Sequence, residues 1–355
     1  MSRPSLRSFL VLSAAALATA LIGCANGRSD AAPDPVADAQ RLAARQARLA
    51  EALPMPPADA VQVMGFDWTD AQRGRDVPVR LYLPAKAAEP VPLVVFSHGI
   101  GGSRHGYSYI GSHLAANGYA SLHLQHVGSD NRLWRGNPIE LLGRLRGATT
   151  EAEALARAQD LSFALDRALA DPALASRIDP NRIAAAGHSY GANTVLLAAG
   201  ARVPGKPVLR DERINAVIAI SAPPFHGLGN PEPILGAVQL PALHVTAEDD
   251  DIRIPGFESG VRDRLALYRA TGSTDKQLVV FRDGSHSMFT DRLGTGGNEH
   301  NPAVKQATRE LIVAFLDARW RGRTDAPAAW ASRHAGLLSE RFPADGTNPA
   351  VTAVR

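Results

Sequence analysis

Five consecutive residues, Gly187, His188, Ser189, Tyr190 and Gly191, carry the strongest chemical signal in the chain. They follow the apolar run Ile183 to Ala186 and precede an alanine-rich stretch of helical character. A G-x-S-x-G pentapeptide alone is weak evidence, because glycine and serine are common. Between a strand and a helix it describes a sharp turn, in which the serine takes a strained backbone conformation and the flanking glycines admit the close chain approach that the turn forces. Such a turn lifts the Ser189 hydroxyl above the strand ends and points a helix N-terminus at it. An unassisted hydroxyl is a poor nucleophile near neutral pH, so an imidazole must take its proton and later deliver it to a leaving group. His286 is the candidate, in a Gly/Ser-flanked loop directly after the apolar run Leu278 to Phe281. An acid should orient that imidazole and stabilise its charged form. Glu248, Asp249, Asp250 and Asp251 follow the run ending at Val245, which gives the chain order Ser, Asp, His. This set supports acyl transfer through a covalent intermediate, with no metal or organic cofactor. His98 and His188 lie inside glycine motifs and are expected to shape those loops. His105, His113, His123, His126, His226, His244 and His300 show no paired metal spacing.

The elements that must position these residues are legible as well. Val61 to Trp68 and Val77 to Leu83 alternate like half-exposed antiparallel strands. Leu93 to Phe96, Ala120 to Leu124, Ile183 to Ala186, Ala216 to Ile220, Leu243 to Val245 and Leu278 to Phe281 are short apolar runs suited to strands buried on both faces. Helical stretches separate most of them. Thr150 and Glu153 form a capping box ahead of Leu155, Ala158, Leu161, Leu165 and Leu169, which recur at helical spacing until Asp171 and Pro172. Asn301 and Pro302 open a C-terminal helix through about Leu316. The order predicts an α/β architecture: a mostly parallel sheet with helices on both faces, right-handed crossovers, and the two leading antiparallel strands at one edge.

With these residues in place, the chain resembles the α/β-hydrolase superfamily, and most closely its dienelactone-hydrolase-like, platelet-activating-factor-acetylhydrolase-like and bacterial polyester-hydrolase-like branches. The matching stretches are VPVRLYLP (Val77 to Pro84), PLVVFSHGIGGSRHGYSYIGSHLAANGYA (Pro92 to Ala120), DPNRIAAAGHSYGA (Asp179 to Ala192), PALHVTAEDDDIRIP (Pro241 to Pro255) and GSHSMF (Gly284 to Phe289). They are collinear over about Val61 to Leu316 and specify the superfamily rather than a substrate. Two family spacings compete for the acid. Counting three residues on from Ala247, which stands where the family has glycine, selects Asp250; counting back from Pro255 by D-x-x-x-P selects Asp251. Asp250 is the choice, and the surplus carboxylates are read as solvated loop charges. The loop His98 to Gly102 resembles an HG-type oxyanion loop, which nominates the backbone amide of Ile100 beside that of Tyr190 as donors to a developing oxyanion. As a phosphate cradle that loop lacks the Lys and Ser/Thr of a P-loop. The resemblance implies an α/β-hydrolase fold and hydrolysis of carboxylic esters through an acyl-enzyme. A lipid or phospholipid acetylhydrolase, a polyester hydrolase and a peptidase are the neighbouring readings. Dienelactone hydrolysis proper is disfavoured, since that family uses cysteine where this chain has Ser189. A reading from another class is an inactive binding lipoprotein of the cell envelope.

The remaining sequence sets the context. In 355 residues with 45% hydrophobic content there is ample material for one large catalytic domain, expected over 59–320. Arg3 and Arg7 precede an apolar stretch, Phe9 to Ile22, too short for a membrane span, and Leu21, Ile22, Gly23 and Cys24 follow. This resembles a bacterial lipoprotein signal over 1–23, implying cleavage after Gly23, a lipid anchor on Cys24 and export to a membrane surface. Ala25 rather than Asp after that cysteine resembles lipoproteins forwarded to the outer membrane of Gram-negative cells. Cys24 is the sole cysteine, so no intramolecular disulfide is possible. The formal charge is +3, and removing the two charges of Arg3 and Arg7 leaves +1, without the basic runs that a nucleic-acid partner requires. Residues 24–58 are rich in Ala, Asp, Arg and Pro, with a polar, helix-prone centre (Ala39 to Leu53) that lacks a wide apolar stripe, and read as a linker. Residues 128–147 form a cap-like insertion with Trp134, Arg132, Arg135, Arg144 and Arg146, expected either to border the substrate pocket or to cover surface; its arginines would suit an acidic substrate or phospholipid headgroups. Residues 321–355 are read as a C-terminal extension.

Overall fold

The computed structural model describes residues 35–342 apart from 255, 294, 296 and 298. The segment read as a lipoprotein signal, Cys24 and the last thirteen residues lie outside that range. Helix α1 (Pro35–Ala52) leads into an antiparallel pair, β1 (Val61–Asp70) and β2 (Arg75–Pro84), in the register Val61↔Pro84 to Asp70↔Arg75. Val77, Val79, Leu81 and Leu83 of β2 point to one face and are fully buried, the alternation expected of a strand with one face on a core. The chain continues through β3 (Val91–Ser97), α2 (Ser108–Ala116), β4 (Ala120–Leu124), α3 (Leu141–Ala148), α4 (Glu151–Ala170), β5 (Ile178–His188), α5 (Tyr190–Ala198), β6 (Ile214–Ile220), β7 (Ala242–Ala247), α6 (Val261–Ala270), β8 (Lys276–Phe281), α7 (His300–Trp320), α8 (Ala326–Arg333) and β9 (Leu338–Phe342). These nine strands make one sheet, ordered β1-β2-β4-β3-β5-β6-β7-β8-β9. The pairs from β4 and β3 through β8 are parallel; β1, β2 and β9 are antiparallel additions at the two ends.

The central strands are buried on both faces, and their side chains alternate between two cores. Leu93 and Val95 of β3 pack with Ala158 and Leu161 of α4 and Val195 of α5. Val94 and Phe96 face the other way, toward Leu114 of α2 and Phe315 of α7. This two-sided covering is why these strands read as continuous apolar runs rather than as alternating patterns.

Three expectations about segment boundaries are corrected by packing. The stretch read as a linker contains α1, and Leu49 and Leu53, each 1% exposed, dock its last turn into the second core. Two leucines four residues apart are too few to mark an apolar stripe, yet burying each stabilises the docked state by roughly 1.5–3 kcal/mol. Arg309 on α7 donates to the Pro54 carbonyl and fastens the following turn. The segment read as a C-terminal extension completes the domain, since β9 pairs with β8 and Trp330 is fully buried with its Nε1 donating to the Ala307 carbonyl at 2.8 Å. The capping box is only half formed. Thr150 Oγ1 accepts the Glu153 amide at 3.3 Å, while the Glu153 carboxylate turns inward to Arg75 and Ser129.

Candidate active site

The site is built where β5 ends and α5 begins. Ser189 has φ 55° and ψ −126°, a conformation that costs about 1–3 kcal/mol and persists only where the surroundings fix it. Its amide donates to the Ile220 carbonyl at 2.8 Å and its carbonyl accepts the Ala192 amide at 2.8 Å. The flanking glycines are obligatory: a Cβ on Gly187 would stand 2.2 Å from the Gly191 carbonyl oxygen, and one on Gly191 would stand 2.0 Å from that of Ser97. The turn can therefore press against β3 only because neither residue has a side chain.

His286 comes from the loop after β8, which passes through Asp283 at φ 49° and Gly284 at φ 86° before a short 3-10 turn, His286–Phe289. The Ser189 hydroxyl donates to His286 Nε2 at 2.8 Å, and His286 Nδ1 donates to Asp250 Oδ1 at 2.6 Å. Asp250, just past β7, is fully buried, and Thr246 Oγ1 donates to its other oxygen at 2.7 Å. Burial alone would raise the Asp250 carboxyl; the attraction of His286, its hydrogen bond, Arg264 at 3.5 Å and the Thr246 bond outweigh that and hold it well below the usual carboxylate range. Asp251 points away, exposed and paired with Arg253 at 3.0 Å, and Glu248 and Asp249 are exposed. Ser189, His286 and Asp250 are thus brought into one hydrogen-bonded line, and Asp251 is not part of it.

From Ser189 a cavity of about 250 Å³ opens, walled by Leu197, Pro223, Phe225, Ile252 and Phe257 among others. Ile100 and Tyr190 border it, and neither backbone amide donates to another described residue. Two unengaged N–H groups beside a serine hydroxyl can receive an oxygen that becomes negative on attack. Among the described residues no cluster of His, Cys, Asp and Glu is placed to hold a metal ion.

Comparison with known proteins agrees with this architecture. The ferulic acid esterase from Streptomyces cinnamoneus superposes with a TM-score of 0.55 at 22% identity, over 77% of this chain and 93% of that one. The chain has the α/β-hydrolase fold. Within that superfamily its likeness is to the platelet-activating-factor-acetylhydrolase-like branch: residues 70–131 match the family "Platelet-activating factor acetylhydrolase, isoform II". The platelet-activating factor acetylhydrolases of Cavia porcellus and Canis lupus familiaris are each 24% identical, over 68% and 62% of this chain. The chain spans 60% and 52% of the length of those two relatives. The family match stops near the first residues of the 128–147 insertion.

That insertion folds onto the loop His98 to Gly102. Trp134 Nε1 donates to the Gly101 carbonyl at 2.9 Å, and its ring fills the place of a Cβ at Gly101. Leu145 reaches the cavity wall, but Arg132, Arg135, Arg144 and Arg146 do not line it. Arg132 pairs with Asp130, Arg135 with Asp38, and Arg144 donates to the carbonyls of Leu133 and Asn137. The expectation that these arginines suit an acidic substrate is therefore corrected for the cavity: none of the four reaches its wall, Arg132 and Arg144 are engaged within the insertion, and Arg135 ties it to α1.

Sequence reasoning missed the groups that hold this site from behind. Arg157 of α4 is fully buried. Its Nη2 donates to the His98 carbonyl and to Ser97 Oγ (3.2 Å), Nη1 to Ser129 Oγ (2.7 Å) and Nε to Thr194 Oγ1 (2.9 Å). The guanidinium also lies 4.5 Å from the centre of the Tyr190 ring. Burial pulls it down to about 10, which leaves it charged at neutral pH. Beyond it, Arg75 grips both Glu153 and Asp160, and Asp160 accepts from His126 Nδ1 at 2.9 Å. His126 Nε2 in turn accepts the Ser97 hydroxyl at 2.9 Å. His188, expected to shape its loop, does so through a chain of bonds. Gly99 N–H donates to the Tyr107 hydroxyl, which donates to His188 Nδ1 (2.8 Å), and His188 Nε2–H donates to the His286 carbonyl (3.1 Å). Burial, then the nearby His286, keep the His188 imidazole well below its ordinary value, so it serves as a neutral bridge.

Proposed function

We propose that this protein hydrolyses carboxylic esters through an acyl-enzyme. Ser189 attacks the acyl carbon while His286 takes its proton, and Asp250 stabilises the resulting imidazolium. The amides of Ile100 and Tyr190 receive the oxyanion, His286 delivers the proton to the leaving alcohol, and water releases the acyl group by the reverse relay. The observation that carries this reading is the unbroken line Ser189–His286–Asp250, at 2.8 and 2.6 Å, opening on an apolar cavity beside two unengaged amides. A structural role alone would not require a strained serine, a buried carboxylate and an imidazole between them. Fluorophosphonate labelling and turnover of short-chain esters test it. Wild type should label and turn over, and Ser189→Ala should do neither. A wild type inert in both assays would instead favour the binding-lipoprotein reading.

Within ester hydrolysis, a lipid acetyl or short-acyl ester is the substrate class favoured by the likeness to platelet-activating factor acetylhydrolases. Phospholipids, simple esters and polyesters assayed side by side would separate that class from its neighbours. The lipid anchor on Cys24 and export to a membrane surface complete the proposal. Loss of palmitate labelling and of membrane association in Cys24→Ala would support it, and retention of both in the variant would refute it.

A further inference from the structure

The cavity beside Ser189 is apolar over most of its wall, but one face of α5 brings polar side chains to it. On that face the Thr194 hydroxyl is already committed: it accepts from Arg157 Nε and donates to the Tyr190 carbonyl at 3.0 Å. Asn193 differs. It lines the cavity and is only 6% exposed, yet its carboxamide makes no hydrogen bond to another described residue, and its Oδ1 is buried without a partner. A carboxamide offers two donors and two acceptor lone pairs, and native interiors almost always pair such groups. A leucine would complete this wall without that cost. The placement of Asn193 therefore calls for a partner supplied by whatever occupies the cavity.

We infer that Asn193 is a substrate-binding residue whose Oδ1 accepts from an uncharged hydroxyl group carried on the chain of the ester about one helical turn from the scissile carbonyl. The inference rests on the reading of Ser189 as nucleophile. The spacing follows from the helix: the Asn193 amide donates to the Ser189 carbonyl at 3.4 Å, so the two residues are one turn apart, about 5.4 Å along the axis. The absence of charge follows from the wall. Glu151 is its one carboxylate and no lysine or arginine lines it, so an anionic chain would meet repulsion and find no counter-ion there. His226, also on the wall, is held below its ordinary value by burial and adds no cation.

The test is a hydroxyl scan. Ethyl hexanoate is compared with analogues that carry a single hydroxyl group at successive carbons of the acyl chain, using wild type and Asn193→Leu. At each position the ratio of kcat/KM for the hydroxy ester over the parent ester is divided by the same ratio in the variant, which cancels the intrinsic reactivity of each ester. The expected result is a quotient of about tenfold at one position and near one elsewhere. A flat quotient with ordinary turnover would overturn the role of Asn193 and leave the hydrolase reading intact. Failure of wild type to cleave any member or to label with a fluorophosphonate would overturn both. Asn193→Ala deletes the same amide without added bulk and carries the comparison if the leucine variant does not fold.

Discussion

Replacing Arg157 by methionine keeps the volume of the side chain and removes its fork of donors. Four hydrogen bonds are lost, together with the cation over the Tyr190 ring. The hydroxyl partners keep other bonds, since Ser129 still donates to Glu153 and Thr194 to Tyr190, so the unrelieved losses are the His98 carbonyl and the charge balance around Glu153 and Asp160. Breaking such a buried network by removing one member costs about 3–5 kcal/mol, which a protein of ordinary stability survives. The larger consequence is for the two amides. One guanidinium ties the backbone two residues before Ile100 to the ring of Tyr190, so both donors lose their common anchor. Loss of one oxyanion donor costs about 10²–10³ in rate, so a fall of roughly a hundredfold in kcat/KM is expected, carried by kcat. Steady-state kinetics on a short-chain ester, the Kd of a boronic acid that mimics the tetrahedral state, and urea unfolding form the assay. Affinity for the boronate should fall in step with kcat/KM, while KM changes little, and Arg157→Lys should recover only part of the loss because an ammonium cannot reproduce the fork. Wild-type kinetics and boronate affinity in a folded Arg157→Met would refute the claim that Arg157 sets the spacing of the amides.

Asp250→Asn keeps the shape of the side chain but lets an amide N–H face His286 Nδ1, favouring the wrong tautomer; a kcat lower by about 10⁴ is expected at neutral pH, measured by stopped-flow or steady-state turnover. Because the folded-state pKa of Asp250 is depressed, its ionisation contributes stability above the unfolded carboxylate range, about 3.9, and that contribution is lost as pH falls further. The stability gap between wild type and Asp250→Asn should therefore narrow below about pH 4 in denaturant titrations. Gly191→Ala places a methyl group 2.0 Å from a backbone oxygen that cannot move aside, and should lower stability by several kcal/mol or prevent folding, read by thermal unfolding and soluble yield. Tyr107→Phe removes the hydroxyl that accepts from Gly99 and donates to His188, and should reduce kcat by about tenfold while Ser189 still labels with a fluorophosphonate, only more slowly.

Much of this protein is local, and the local part was legible. The turn around Ser189 depends on five consecutive residues between a strand and a helix, so the contact of Gly187 and Gly191 with neighbouring backbone is written in their missing side chains. The central strands announced themselves because burial on both faces requires continuous apolar runs, and the resemblance to α/β-hydrolases rested on those same stretches. His286 was nominated by its place after a strand, and family spacing preferred Asp250 while leaving Asp251 in contention. Only the folded chain separates those two, by burying one carboxylate against His286 and Thr246 and leaving the other in solvent beside Arg253. Other features depend on residues far apart in the sequence and carry no local pattern. Arg157 looks like one more charge on an amphipathic helix until β3, the 128–147 insertion and α5 close around it. Leu49 and Trp330 look like stray apolar residues in polar tails until the sheet supplies the surface that buries them. Sequence determines which backbone conformations are permitted and which side chains seek burial; which charges face one another, and which buried amide is left without a partner, is decided when distant segments share one interior.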